Sequence, residues 1–182
     1  MGTMGDHIDC KLVMPLLISD LEILEDVLKD IKAEWGDFDY QSDLFTFEQT
    51  SYYDKEMGLP IYRAFYCFTQ LIEVTDLVSI KHKTNLIEDK YTIEAKRRVN
   101  LDPGYMCPGK FVLATTKNQQ HRLYIREGIF EEITLYYHAG QWKPHPWTYA
   151  DYQSEKYRTI LGNMRKIYIT QVADVLKQRG KK

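Results

Sequence analysis

Apolar residues fill positions 11–18 almost without interruption (KLVMPLLI), the mark of a strand covered on both faces. Pro15 inside that run asks for an edge, a bulge or a kink, because proline cannot donate to a ladder. The period then changes. Leu21, Leu24, Val27, Leu28, Ile31 and Trp35 recur at helical spacing, Ser19 with Glu22 forms a capping box ahead of them, and Gly36 can close the helix. Phe38, Tyr40, Leu44, Phe45 and Phe47 restore strand content with two breaks of phase, which predicts a bulge around 41–43. Residues 50–60 read as a polar connection and 62–71 (YRAFYCFTQL) as a strand. Thr75 is placed to cap a helix with Leu77, Ile80, Thr84, Ile87 and Tyr91 along one stripe. Residues 97–101 (RRVNL) make a short strand. It runs into Asp102-Pro103-Gly104-Tyr105, where Pro suits the second position of a type II turn and Gly the positive φ of the third.

The order strand, helix, strand, strand, helix, strand predicts an α+β fold. Its core is a ferredoxin-like βαββαβ unit over residues 11–102, an antiparallel sheet with two helices on one face. Residues 103–182 are expected to extend the same domain. They hold a short helix over 110–117, a β-hairpin whose strands flank Glu127-Gly128, and a strand at 141–143 ended by Pro144 and Pro146. A long C-terminal helix follows, opened by Thr148 with Asp151. Within 129–137, Ile133, Leu135 and Tyr137 alternate with Glu132, Thr134 and Tyr136, apolar in and polar out. The last helix carries Tyr157, Ile160, Leu161, Met164, Ile167, Tyr168, Val172, Val175 and Leu176 on one stripe, which is core or interface packing. Residues 1–10 read as a disordered arm or tag remnant, and the basic tail 177–182 as frayed.

Composition narrows the class. With 44% hydrophobic and 27% charged residues, the chain reads as a soluble globular protein. No apolar run approaches the roughly 18 residues of a membrane span, and the first residues lack a signal peptide's basic and apolar regions. A cytoplasmic protein is the expectation, with Cys10, Cys67 and Cys107 as reduced thiols. No histidine has zinc-like spacing to another histidine or a cysteine, so no metal site is expected. The pattern identifies no cofactor.

Charge adds what hydropathy does not. Residues 96–126 hold seven Lys and Arg against one acid, a formal +6, in a chain of net −2; residues 1–60 hold four Lys against fourteen acids, −10. A positive stretch in a negative protein points to a local anion site. By strand alternation Arg98, Asn100 and Asp102 share a polar face while Val99 and Leu101 turn to the core. Arg98 could fork onto a phosphate or carboxylate, Asn100 orient it, and Asp102 act as base or metal ligand. Lys110, Lys117, His121 and Arg122 are expected to converge on the same pocket, with His121 as the other candidate base. If the acidic first third supplies partners for these cations, the cluster is instead a structural ion-pair network.

Two motifs fail on inspection. Gly104-Tyr-Met-Cys-Pro-Gly109-Lys110-Phe111 resembles a phosphate loop, G-x-x-x-x-G-K-[ST]. Here Phe111 replaces the magnesium-binding hydroxyl and Pro108 removes an N–H. Thr116-Lys117-Asn118-Gln119 lacks the acid that would read guanine.

The stretches RRVNLDPGY, FVLATTKNQQHRLY, GIFEEITLYY and PWTYADYQSEKY, in this order, are similar to an uncharacterised prokaryotic domain-of-unknown-function family. The SDLEILED and TSYYDKEMG segments extend the likeness over nearly the whole chain. Members of that family are sometimes labelled GTP-binding proteins; the resemblance implies kinship and carries no mechanism. The functional expectation is a small anionic ligand, a nucleotide or phosphorylated metabolite, bound and, in an enzyme variant of the reading, acted on with Asp102 or His121 as base. Two other classes stand beside it. An RNA-binding module would stack bases on an aromatic sheet face, although the acidic first third opposes non-specific nucleic-acid binding. A structural protein would form a homodimer through its hairpin and last helix.

Overall fold

The computed structural model describes residues 7–49 and 52–179. Residues 1–6 of the expected arm and 180–182 of the expected tail lie outside the described residues. In chain order the elements are β1 (Cys10–Ile18), a 3-10 turn, α1 (Leu24–Trp35), β2 (Phe38–Gln41), β3 (Phe45–Thr46), α2 (Asp54–Met57), β4 (Tyr62–Ile72) and a second 3-10 turn. Then come α3 (Leu77–Lys90), β5 (Val99–Leu101), β6 (Gly104–Cys107), β7 (Lys110–Thr115), β8 (Leu123–Arg126), β9 (Ile129–His138), β10 (Gln141–Pro144) and α4 (Glu155–Arg179). No helix among the described residues is long and apolar enough to cross a membrane.

The strands form one antiparallel sheet in the order β10-β9-β7-β6-β1-β4-β2, with β5 also on β1, β3 on β4 and β8 on β9. Ten strands exceed the four of a simple ferredoxin-like core. The residues after 103 are not an appendage: they continue the sheet beyond β1.

β1 is buried at every position, Lys11 included, as its nearly continuous apolar run predicted. Leu12, Met14, Leu16 and Ile18 pack with Val27, Ile31, Ile80 and Ile87 from α1 and α3. On the opposite face Val13 packs with Phe65, Leu161, Met164 and Tyr168 under α4. Pro15 is tolerated in this central strand for a local reason. β6 pairs with residues Lys11 to Val13, and β5 with residues Leu16 to Ile18. Pro15 sits where one neighbour gives way to the other. Its carbonyl accepts from the Asp102 N–H at 3.0 Å, and the N–H it lacks would have pointed to the same edge.

Several expectations are corrected at element ends. Asp20, not Ser19, caps the first helical segment, its Oδ1 accepting from Glu22 N–H at 3.0 Å. Glu73 with Asp76 forms the box ahead of α3 in place of Thr75. α4 starts at Glu155, where Ser154 Oγ accepts from Tyr157 N–H at 3.3 Å. Thr148 is used elsewhere, its hydroxyl accepting from His145 N–H and donating to the Thr134 carbonyl. Residues 110–115 are a strand and not a helix, with Phe111, Val112 and Ala114 buried. Gly104 lies inside β6 and has no positive φ, so it serves no type II turn. A register shift between Phe111 and Val112 against β9 inserts one extra residue there. It reverses the phase of β9: Glu132 and Thr134 are buried while Ile133 is exposed, and Leu135 then turns inward. Glu127 and Gly128 both take positive φ, 53° and 77°, the two-residue hairpin that their sequence predicts.

Candidate functional site

The hand-over at Pro15 splits the sheet. β5 leaves β1 with a free outer edge, and two side chains of α3 cap it: Glu88 Oε1 accepts from Leu101 N–H at 2.8 Å and Lys81 Nζ donates to the Leu101 carbonyl at 2.9 Å. Between this edge, the end of β7, residues 47–49 and 52–56, and the turns before α4 lies a cleft of about 870 Å³.

At its base is Arg63 of β4. The side chain is 2% exposed, and its Nε and Nη1 have no hydrogen-bond partner among the described residues. Asp151 Oδ2 lies 3.5 Å from Nη2 and Asp102 Oδ2 3.7 Å from Nη1, close enough for charge but loose or too long for hydrogen bonds. Phe47 packs against the guanidinium with its ring centroid at 5.0 Å. Burial works against the Arg63 charge; Tyr152, Tyr157, Asp102 and Asp151 more than offset it, and the group stays cationic. The same burial raises the Asp151 carboxyl above its usual range, with Arg63 pulling it back in part. It raises the Glu88 carboxyl too, and lifts the Tyr152 phenol well above its ordinary value.

One wall is an ion-pair network. Arg97 donates to Glu56 at 2.6 and 2.9 Å, to Glu88 at 2.8 Å and to Asn100 Oδ1 at 2.9 Å. Asn100 Nδ2 in turn donates to Asp102 at 2.8 Å. The opposite wall holds Arg122, whose Nε donates to the buried Glu132 at 2.8 Å and whose Nη2 donates to Tyr149 OH at 3.1 Å. At the mouth Lys117 donates to Tyr52 OH at 2.7 Å.

The structure thus brings together Asn100, Asp102, Lys117 and Arg122 of the residues expected at the site. Arg98 is not with them: it donates to Asp20 at 2.7 Å and to the Tyr91 carbonyl at 3.0 Å. Its neighbour Arg97 occupies the cleft because the chain is not extended there. Glu94 and Ala95 turn with positive φ, Arg98 sits in a bend, and strand alternation begins only at Val99. Lys110 is exposed beside the Pro108-Gly109 turn of a plain β6–β7 hairpin, so the stretch resembling a phosphate loop joins two strands. His121 bonds Glu132 at 3.1 Å from outside the cleft lining. It stacks on Trp147, whose other ring contact is the near-parallel His145, 4.6 Å away.

Sequence reasoning missed Arg63, Lys81, Glu88, Glu132 and Asp151. Arg63 carried one signal, a charge inside the apolar run YRAFYCF. The positive stretch does not make a positive pocket. Arg63, Lys81, Arg97, Lys117 and Arg122 face Glu56, Glu88, Asp89, Asp102, Glu132 and Asp151, five cations against six acids. Of these acids only Glu56 comes from the acidic first third; a second first-third acid, Asp20, holds Arg98 away from the cleft. Among the described residues, the side chains that converge closely enough to hold a metal ion lie elsewhere, at His7, Cys10 and Cys107.

A family model described as "Domain of unknown function (DUF4416)" matches residues 8–168. No curated protein and no solved structure matches the chain.

Proposed function

This chain belongs to the domain-of-unknown-function family DUF4416, and we propose that its cleft binds a small polar metabolite carrying one anionic group. One observation carries the proposal: Arg63 is buried at the base of the cleft with two nitrogens unbonded. A buried guanidinium short of acceptors is costly unless another group supplies them. A carboxylate or a single phosphate can accept from Nε and a terminal nitrogen together. The flanking Asp102 and Asp151 oppose a polyanion and favour a ligand that also presents hydroxyl or amino donors. A triphosphate fits this balance poorly. Asp151, raised by burial, is the group we assign to carry a proton if bond making follows binding.

The order β5-β1-β4-β2, with α1 and α3 on one face, supports reading this part as a ferredoxin-like core. α4 covers the opposite face, which an RNA-stacking module would need open, and this favours the small-ligand reading.

The test is mass spectrometry of small molecules released from purified protein, followed by thermal shifts with a panel of small carboxylates and monophosphates. A released or panel acid should raise the melting temperature of the wild type. Arg63→Lys should weaken that ligand about tenfold or more, since one charge-assisted hydrogen bond is worth about 1.5–3 kcal/mol. An unchanged affinity in Arg63→Lys, or no released molecule and no shift across the panel, would sink the proposal.

A further inference from the structure

Cys10 and Cys107 are 97 residues apart in sequence, and their sulfurs lie 2.8 Å apart in space. β6 runs antiparallel to β1 with Lys11 opposite Met106; continuing that register by one residue sets Cys10 opposite Cys107. Both are buried, at 0% and 6% exposure, and both are free thiols. A pair of buried cysteines can be simple packing, since free cysteine behaves as a small hydrophobe. The third member of the group removes that explanation. A ligating nitrogen of His7 and the two sulfurs all lie within 4.8 Å of one another, and packing of thiols gives no reason to bring an imidazole to them. Tyr168 of α4 donates to the Asp9 carbonyl at 3.0 Å. That bond ties the segment leading into β1 to the body of the protein and keeps His7 near the thiols.

We propose that His7, Cys10 and Cys107 form a site for one thiophilic divalent cation of the zinc type. Two thiolates and an imidazole are the donors zinc takes, and three protein ligands leave a fourth position for water or a substrate atom. His7 is exposed, which gives the ion a route to sulfurs that are not. Each thiol that binds releases its proton to solvent. Zinc–sulfur bonds of about 2.3 Å in a tetrahedron hold two sulfurs roughly 3.8 Å apart, so binding opens the pair by about 1 Å. The site shares no residue with the lining of the 870 Å³ cleft.

The experiment is a Co²⁺ titration of the reduced full chain, read by absorption. One equivalent should bind with thiolate-to-cobalt charge-transfer bands, and Zn²⁺ should displace it. Cys107→Ser should remove those bands. His7→Ala changes an exposed residue and leaves the buried thiols in place. It should weaken binding by more than the roughly 10–100-fold that loss of a mere supporting partner costs. Three results would each overturn the site: no stoichiometric Co²⁺ on the reduced wild type, equal affinity in His7→Ala, or bands that persist in Cys10→Ser/Cys107→Ser with Cys67 as the remaining thiol.

Discussion

A Cβ built on Gly104 would lie 2.3 Å from the Val112 carbonyl oxygen and 2.8 Å from a Leu113 methyl. The first of these is backbone and cannot rotate away. Gly104→Ala should therefore cost about 3 kcal/mol, the upper end of the usual overpacking range. At this chain length that is a fall in melting temperature of roughly 2–4 °C per kcal/mol. A melting curve superimposable on the wild type would show that the β6–β7 hairpin yields easily. The glycine was visible in the sequence but its reason was not, because close approach of a partner strand leaves no local signature. Arg97 and Arg98 teach the same lesson in reverse. Alternation placed Val99 and Leu101 correctly in the core. It failed two residues earlier, where a turn through Glu94 and Ala95 puts the chain out of phase.

At the scale of elements, the periodic stretches were the legible part. The stripe on α3 is buried at all five expected positions, Leu77 to Tyr91, and α4 is long as expected, at 25 residues. Ends were less legible, since Asp20, Glu73 and Ser154 compete with equally suitable neighbours for the capping role. On α4 the buried line is Tyr157, Ile160, Leu161, Met164, Tyr168 and Val172. Ile167, expected in that line, is only half-buried, and Leu176 beyond it is 48% exposed. Met164→Ala should accordingly cost about 2–5 kcal/mol in urea unfolding, and Ile167→Ala no more than about 2. Equal losses would contradict the difference in burial between the two side chains. The segment after Lys110 was misread as a helix because a lysine before a mixed apolar run suits either element. Pairing with β6 and β9 decided it.

At the scale of the whole molecule, the sequence displayed its charge as blocks and the fold interleaves them. A +6 segment meets acids drawn from α2, α3, β9 and the turn before α4, so no pocket of one sign results. That redistribution is a matter of topology, and no window of sequence contains it. The cleft itself exists because β1 changes neighbours at Pro15, a residue whose presence was noticed and whose meaning needed β5 and β6 to be placed. The imidazole–indole–imidazole stack has a consequence of a different kind: it makes one wall of the cleft optically readable. Trp147 is 39% exposed, lies in the turn after β10, and stacks against both His121 and His145. His121 adjoins Arg122, and Trp147 is two residues from Tyr149, which Arg122 bonds. A protonated imidazole against an indole drains its excited state. Burial holds His145 below its ordinary value of 6.5, so the quenching due to His145 should set in only under that pH and deepen with further acid. Trp147→Phe should abolish this acid quench while Trp35 and Trp142 still emit; an unchanged quench would place its origin elsewhere. Any occupant that moves Arg122 or Tyr149 should then announce itself in the emission of a native tryptophan, with no label attached.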